Sequence, residues 1–289
     1  MIRILPAGLI ACVTAALLSC AVAVPGSVAG SSAAAGTSGA AQPSSAAGAA
    51  RITLPPANAQ FDYQIGGPYK PLASTRIVDR DWHEAPAAGK YNVCYVNAFQ
   101  TQPEDEAWWT SNHPGLLLRD ANGVLVGDPE WGEIILDTRT AAKRSALAGI
   151  MTHFIARCAS SGFKAVELDN LDTYTRSNGL LSYAANRAYA RLLIVAGHKR
   201  GLAMAQKNTS DKSKDLKAAG FDFAVAEECQ VYGECTAYTA VYGGRVFEIE
   251  YTDAAFKAAC KARGRSVSVI RRDLDVVPRG TSGYRYLWC

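Results

Sequence analysis

The stretch that decides the fold is FKAVELDNLDTYTR, residues Phe163 to Arg176. It begins as an apolar run of strand length and then sets three carboxylates, Glu167, Asp169 and Asp172, within six residues. Successive side chains of a strand point to opposite faces, so Val166 and Leu168 share one face while Glu167 and Asp169 share the other. Neighbouring carboxylates disfavour each other's ionisation, a cost that a purely structural strand end has no reason to carry. The pattern predicts a buried strand with Asp169 aimed at a site and Glu167 beneath it.

Working outward, similar apolar runs recur along the chain. They are FDYQIG (61–66), RIVDR (76–80), YNVCYVNA (91–98), LAMAQKN (202–208), FDFAVAEE (221–228), RVFEIEY (245–251) and SVSVIRRD (266–273). Helix patterns lie between the later ones, among them TAAKRSALAGIMTHFIARCAS and YAANRAYARLLIVAGHKRG, and Gly162, Gly201, Gly220 and Gly264 stand where helices stop, as C′ glycines do. Eight strands with intervening helices over residues 59–289 predict a single-domain (β/α)8 TIM barrel, a fold of about 250 residues. An open doubly wound sheet is the alternative, but it would be expected to carry a Gly-rich phosphate loop, and QIGGPY is a poor one.

Active sites of such barrels lie at the C-terminal ends of the strands. Polar residues collect there: Gln64, Asp79, Asn97, Asp169, Lys207, Asn208, Glu227, Glu228, Glu250, Tyr251, Arg271 and Asp273. Asn170 and Asp172 follow the fourth strand, where Asp172 serves equally well as a helix cap. A pair of carboxylates is what glycosidic cleavage requires, one as acid and one as nucleophile or base. Asp169 supplies one, and AVAEEC supplies Glu227 and Glu228 as candidates for the other. Strand parity favours Glu228 inside if Phe221, Phe223 and Val225 pack outward, and a single bulge reverses that assignment. Trp131, beside Gly132 and Glu133, is read as a sugar-stacking platform. Trp108 and Trp109 are more simply half-buried core. Lys207 either binds a substrate hydroxyl or holds a carboxylate ionised, with a structural ion pair inside the barrel as the plainer reading. Tyr63, Tyr91 and Tyr95 are taken as packing, and the four His receive no role.

The N-terminus and the cysteines point to export. Arg3 precedes the apolar stretch ILPAGLIACVTAALL, too short for a comfortable membrane span. It ends in LLSC, which resembles a bacterial lipobox with Cys20 as the lipidated residue; ordinary cleavage after Ala21–Ala23 is the rival reading. Residues 1–20 are thus taken as a signal peptide and residues 21–58 as a linker rich in Ser, Ala, Gly and Pro. Of eight Cys, six lie in the folded part, an even number that favours disulfides in an exported chain, with Cys229 and Cys235 close enough to clip one loop. No CxxC occurs, so no metal is expected, and neither is an organic cofactor. The net charge of +4 comes without a dense basic run, which gives no reason to expect nucleic acid. The membrane would be reached only through the anchor at Cys20, and a monomer is expected.

Taken in order, YQIGG, YNVCYVNAFQ, WGEIILD, GFKAVELDNLDTY, AQKN, FDFAVAEEC and FEIEY resemble glycoside hydrolase family 114, the endo-α-1,4-polygalactosaminidases. The resemblance spans nearly all of residues 61–289. It implies a TIM barrel, an endo-acting hydrolase of α-1,4-linked galactosamine polymers, and a galactosaminogalactan-like polysaccharide as partner. The family's Asp-Asn-x-Asp strand end matches Asp169, Asn170 and Asp172. Its Glu-Gln/Glu-Cys matches Glu227, Glu228 and Cys229, with the first Glu expected to be catalytic, so Glu227 ranks ahead of Glu228 against the parity reading. By fold-level analogy to α-galactosidase barrels, Asp169 on strand four would be the nucleophile and Glu227 on strand six the acid/base of a retaining reaction. The alternatives are a carbohydrate-binding barrel without catalysis and an α-galactosidase-like hydrolase of a neutral polysaccharide.

Overall fold

The computed structural model describes residues 51–289, so the proposed signal peptide, the lipobox at Cys20 and most of the linker lie outside the described residues. Nine strands follow one another in a single sheet in sequence order: β1 Phe61–Tyr63, β2 Ile77–Asp81, β3 Tyr91–Asn97, β4 Ala165–Asp169, β5 Ala203–Lys207, β6 Phe223–Glu227, β7 Val246–Glu250, β8 Ser268–Arg272 and β9 Tyr286–Trp288. The first eight are parallel, and β9 runs antiparallel to β8. The seam between β8 and β1 is joined by side chains. Ser268 Oγ donates to the Ala59 carbonyl at 2.6 Å, the Tyr286 hydroxyl to the Phe61 carbonyl at 2.7 Å, and the Arg272 guanidinium to the Tyr63 carbonyl. The result is a nearly closed (β/α)8 barrel.

The helices are α1 Glu106–Asn112, α2 Ala141–Ser161, α3 Thr173–Arg176, α4 Tyr183–His198, α5 Ser213–Ala219, α6 Cys229–Tyr232, α7 Cys235–Tyr242 and α8 Asp253–Arg263. The long ones begin at side-chain caps: Thr140, Ser182 and Thr252 accept from the backbone N–H three residues on. Gly162 ends α2 at φ 100°, as the sequence predicts for a C′ glycine. Gly264 differs. Its φ is −58°, and its need for glycine is steric, because a Cβ would come within 2.8 Å of the Cys260 carbonyl oxygen and of Cys289 Sγ. No helix separates β1, β2 and β3, which loops alone connect. Residues 51–58, assigned to the linker from composition, lie against the barrel: the Tyr91 hydroxyl donates to the Thr53 carbonyl at 2.7 Å and the Asn58 N–H to the Gly244 carbonyl at 3.1 Å.

Two apolar layers hold the sheet. Outside it, Val166, Leu168, Ala224 and Ala226 pack with helix residues such as Ile155, Leu193 and Tyr238. Inside it, Phe61 stacks on Phe247 at a centroid distance of 4.8 Å and Phe223 lies tilted against Phe247 at 5.2 Å, in the same cluster as the small residues Ala165, Ala203 and Ala205. Large side chains matched with small ones fill a barrel interior without voids. This inner layer corrects the parity reading of β6. Phe223 and Val225 face inward because aromatics, not only alanines, fill the barrel, and Glu227 follows them inside without any bulge. Three disulfides, Cys94–Cys158, Cys229–Cys235 and Cys260–Cys289, tie β3 to α2, α6 to α7, and α8 to the C-terminus.

Candidate active site

The C-terminal ends of the strands open into a cleft of about 990 Å³. Its floor is built around one buried cation. The ammonium of Lys207, at the end of β5, lies 2.8 Å from Glu167 Oε1, 3.2 Å from Asp169 Oδ1 and 3.3 Å from Glu227 Oε2. It also donates to the Tyr63 hydroxyl at 3.0 Å. Burial alone would lower its pKa, but Asp169, Glu167 and Glu227 outweigh that and push it well above the ordinary lysine value, so it stays charged.

Asp169 ends β4 facing this cation. Its Oδ2 accepts from the Tyr95 hydroxyl at 2.6 Å and its Oδ1 from the Asn170 N–H at 2.8 Å. Burial pushes Asp169 up, yet the Lys207 ammonium, the Tyr95 hydroxyl and the Asn170 N–H together hold it below the usual carboxylate range. It is therefore an ionised, oriented carboxylate at neutral pH. Glu227 ends β6 on the other side of Lys207. Asn208 Nδ2 donates to its Oε2 at 3.1 Å, and the Tyr251 hydroxyl hydrogen-bonds its Oε1. Two legs of 3.2 and 3.3 Å to one ammonium bound the Asp169–Glu227 oxygen separation at 6.5 Å.

Three consecutive strand ends turn in the same way. Asn170, Asn208 and Glu228, each the first residue past its strand, have φ of 63°, 47° and 52°. Asn tolerates this left-handed turn and Glu does so at a cost. Glu228 lines the cleft at β6, where burial raises its pKa and the charge of Glu227 adds to the effect.

Of the residues expected from the sequence, Trp131, Asp169, Asn170, Asp172, Lys207, Asn208, Glu227, Glu228 and Tyr251 line the cleft. Asp172 pairs with Arg176 at 2.9 Å, and no side-chain cap bond from it starts α3. Asn97 stands one step behind: its Nδ2 donates to Glu133 at 2.8 Å, and its Oδ1 accepts from Asn170 at 2.9 Å. Five expected residues lie elsewhere. Gln64 is buried between Asp62 and Arg80, and Asp79 sits fully buried on β2. Glu250 points away from the barrel axis, since Ile249 faces in, and accepts from the Gln230 N–H at 2.9 Å. Arg271 pairs with Asp253 at 3.0 Å, and Asp273 accepts from the Val277 N–H at 2.7 Å. A polar strand end lines the cleft only when its parity turns it inward.

The sequence reading missed four contributors. Tyr95 and Tyr63 are not mere packing, because their hydroxyls hold Asp169 and Glu167. Inward parity with Asn97 and Phe61 was the signal for both. Glu133 lines the cleft, and burial pushes its carboxyl up to about 7. His83 also lines the cleft, its Nδ1 2.6 Å from Asp81. Twelve of the lining residues are Asp or Glu, against Lys207, Arg176 and His83, so the cleft is strongly acidic on a chain whose formal net charge is +4.

The model of glycoside-hydrolase family GH114 matches residues 41–289. Among solved structures, Aspergillus fumigatus Ega3 in complex with galactosamine is similar at a TM-score of 0.65 and 22% identity, covering 84% of this chain and 100% of that one. The glycoside hydrolase domain of PelA from Pseudomonas aeruginosa is similar at a TM-score of 0.54 and 16% identity, covering 78% and 97% respectively. No curated protein matches the sequence.

Proposed function

Since the chain belongs to glycoside-hydrolase family GH114 and is a glycoside hydrolase, we propose that it cuts α-1,4-linked galactosamine polymers internally, with Asp169 as nucleophile and Glu227 as acid/base. The observation that carries this is the pair of carboxylates gripped by one ammonium. With Asp169 Oδ1 and Glu227 Oε2 no more than 6.5 Å apart, the pair suits retention, which needs carboxyls about 5–5.5 Å apart, better than inversion, which needs roughly 6.5–9.5 Å to admit a water. In the first step Asp169 bonds to the anomeric carbon while Glu227 gives its proton to the departing glycosidic oxygen. In the second Glu227 takes a proton from water as that water displaces Asp169. The Tyr251 hydroxyl suits both states of Glu227, since it donates to a carboxylate and accepts from a carboxylic acid.

The acid lining supports a cationic substrate, because a cleft of one sign concentrates ligands of the other. The galactosamine bound to the similar Ega3 structure supports the same sugar. Glu133, fixed through Asn97 beside the β4 turn, is the carboxylate we assign to the 2-amino group. The three disulfides support export, and LLSC supports an anchor at Cys20.

The test is incubation with partly deacetylated α-1,4-galactosaminan, with oligosaccharides read by mass spectrometry and the first-formed anomer by proton NMR. An initial α-anomer, lost in Asp169→Asn, is expected. An initial β-anomer would remove the nucleophile role from Asp169, and an absence of products from any galactosamine polymer would return the binding-barrel reading.

A further inference from the structure

Beneath the proposed catalytic pair lie two carboxyls that neither step uses, Asp79 of β2 and Glu167 of β4, both fully buried. Oε1 of Glu167 is well supplied, accepting from Lys207 at 2.8 Å and from the Tyr63 hydroxyl at 3.1 Å. Its Oε2 has no N–H or hydroxyl donor among the described residues, and the same is true of both oxygens of Asp79. Each finds its partner in the other, since the two carboxyls are within hydrogen-bonding reach. Two carboxyls meet in this way only with a proton between them, because a buried anion without a donor is too costly to keep.

We infer that Asp79 is a carboxylic acid in the working enzyme, that its O–H is given to Oε2 of Glu167, and that this pair positions the Lys207 ammonium under Asp169 and Glu227. The proton belongs to Asp79 and not to Glu167 because the two donors on Oε1, one of them cationic, place the negative charge on Glu167. Burial pushes Asp79 well above the ordinary carboxylate range, and the charge and hydrogen bond of Glu167 add to this. Burial also raises Glu167, but Lys207 and the Asp79 hydrogen bond pull it back. The other titratable groups around the pair are Tyr63 from β1, Tyr95 from β3, Asp169 from β4 and Glu227 from β6.

The arrangement settles a question of charge. Three carboxylates lie within 3.3 Å of one ammonium and Asp79 is buried with them, so with all four ionised the site would carry three uncompensated negative charges. Protonating Asp79 and matching Glu167 to Lys207 leaves only Asp169 and Glu227 to change charge during turnover. Asp79 and Glu167 are positioning residues, acting through Lys207.

This inference rests on the reading of Asp169 and Glu227 only in its kinetic arm. The independent arm is infrared difference spectroscopy of wild type against Asp79→Asn at pH 7. A protonated-carboxyl C=O band above the amide I region, shifted in heavy water and missing from the variant, is expected; its absence overturns the proposal whatever the enzyme hydrolyses. In the kinetic arm, Asp79→Leu should lower kcat at least tenfold, and Asp79→Asn, whose amide still donates to Glu167, should recover most of it. Glu167→Gln removes the countercharge of Lys207, strengthens its pull on Asp169 and should move the acid limb of kcat/KM to lower pH. Equal damage from Asp79→Asn and Asp79→Leu, or an unmoved acid limb in Glu167→Gln, overturns the positioning role. If Asp79→Leu fails to fold, the infrared comparison still decides.

Discussion

Replacing Lys207 by Met keeps the length of the side chain and deletes the charge on which the site is organised. Lys207 is 2% exposed and holds three carboxylates within 3.3 Å. Removing one partner of a buried ion pair while the others remain costs about 3–5 kcal/mol. At about 2–4 °C per kcal/mol for a domain of this size, Tm should fall by roughly 6–20 °C near neutral pH. The loss should depend on pH in a definite direction. In the parent, Asp169 is held below its unfolded value, so it contributes stability that is present above pH ~3.9 and lost as the pH falls through the folded value. Without the ammonium, burial dominates, the folded value rises, and the variant loses stability as the pH climbs past ~3.9. Lys207 itself, raised in the folded state, contributes a constant amount until the pH passes ~10.4. The gap in Tm between parent and variant should therefore open as the pH is raised from about 4 to 7, and the acid limb of residual activity should move up. Calorimetric melts across that range, paired with a pH–rate profile, measure both. A Tm within about 3 °C of the parent at pH 7, with an unmoved acid limb, refutes the account of Lys207 as the shared counterion.

Tyr251→Phe removes the hydroxyl bonded to Glu227, an interaction of about 1.5–3 kcal/mol with a charged group, so kcat should fall roughly 10- to 150-fold while KM changes little. A rise in KM alone would instead place Tyr251 in ground-state binding. Glu133→Gln should lower kcat/KM on deacetylated polymer roughly tenfold or more, and by less on fully N-acetylated polymer. In the parent that preference should strengthen as the pH rises through about 7, where Glu133 ionises, for as long as the substrate amine stays protonated; a preference flat with pH would take the amine contact away from Glu133.

The barrel and its rim were legible because both rest on local rules. Alternation in FKAVELD orders Asp169 above Glu167, with Val166 and Leu168 under the helices, and the structure has that arrangement. What failed was the step from one strand to its neighbours. The rule that large apolar residues face the helices turned β6 the wrong way, since Phe61 and Phe223 both pack against Phe247 in the interior. The family resemblance ranked Glu227 first where parity did not. Gln64, Glu250, Arg271 and Asp273 stand at or just past their strand ends, but each is turned away from the barrel axis, Gln64 toward Asp62 and Arg80 and the other three toward a neighbouring helix or loop. Tyr63 and Tyr95 are the converse case, for in a sequence a tyrosine that packs and a tyrosine that aims its hydroxyl at a carboxylate look the same.

The double Glu at the end of β6 resolves into two physical demands. For Glu227 to hold its place beside Lys207 and Tyr251, the chain must leave the strand at once, and it does so by putting Glu228 at φ 52°. A non-glycine residue in that region costs about 1–2 kcal/mol and persists only where the surroundings hold it. Two restraints are at hand. The Glu228 N–H donates to the Ile249 carbonyl of β7 at 2.8 Å, and Cys229, the next residue, is bonded to Cys235 across a separation of six. The clip joins the start of α6 to the start of α7, so the two short helices are tied to each other just past β6. A glycine at 228 would make the turn without strain, but it would also free the one residue that links the proposed acid/base to its clip, and orientation of that group is what the reaction needs.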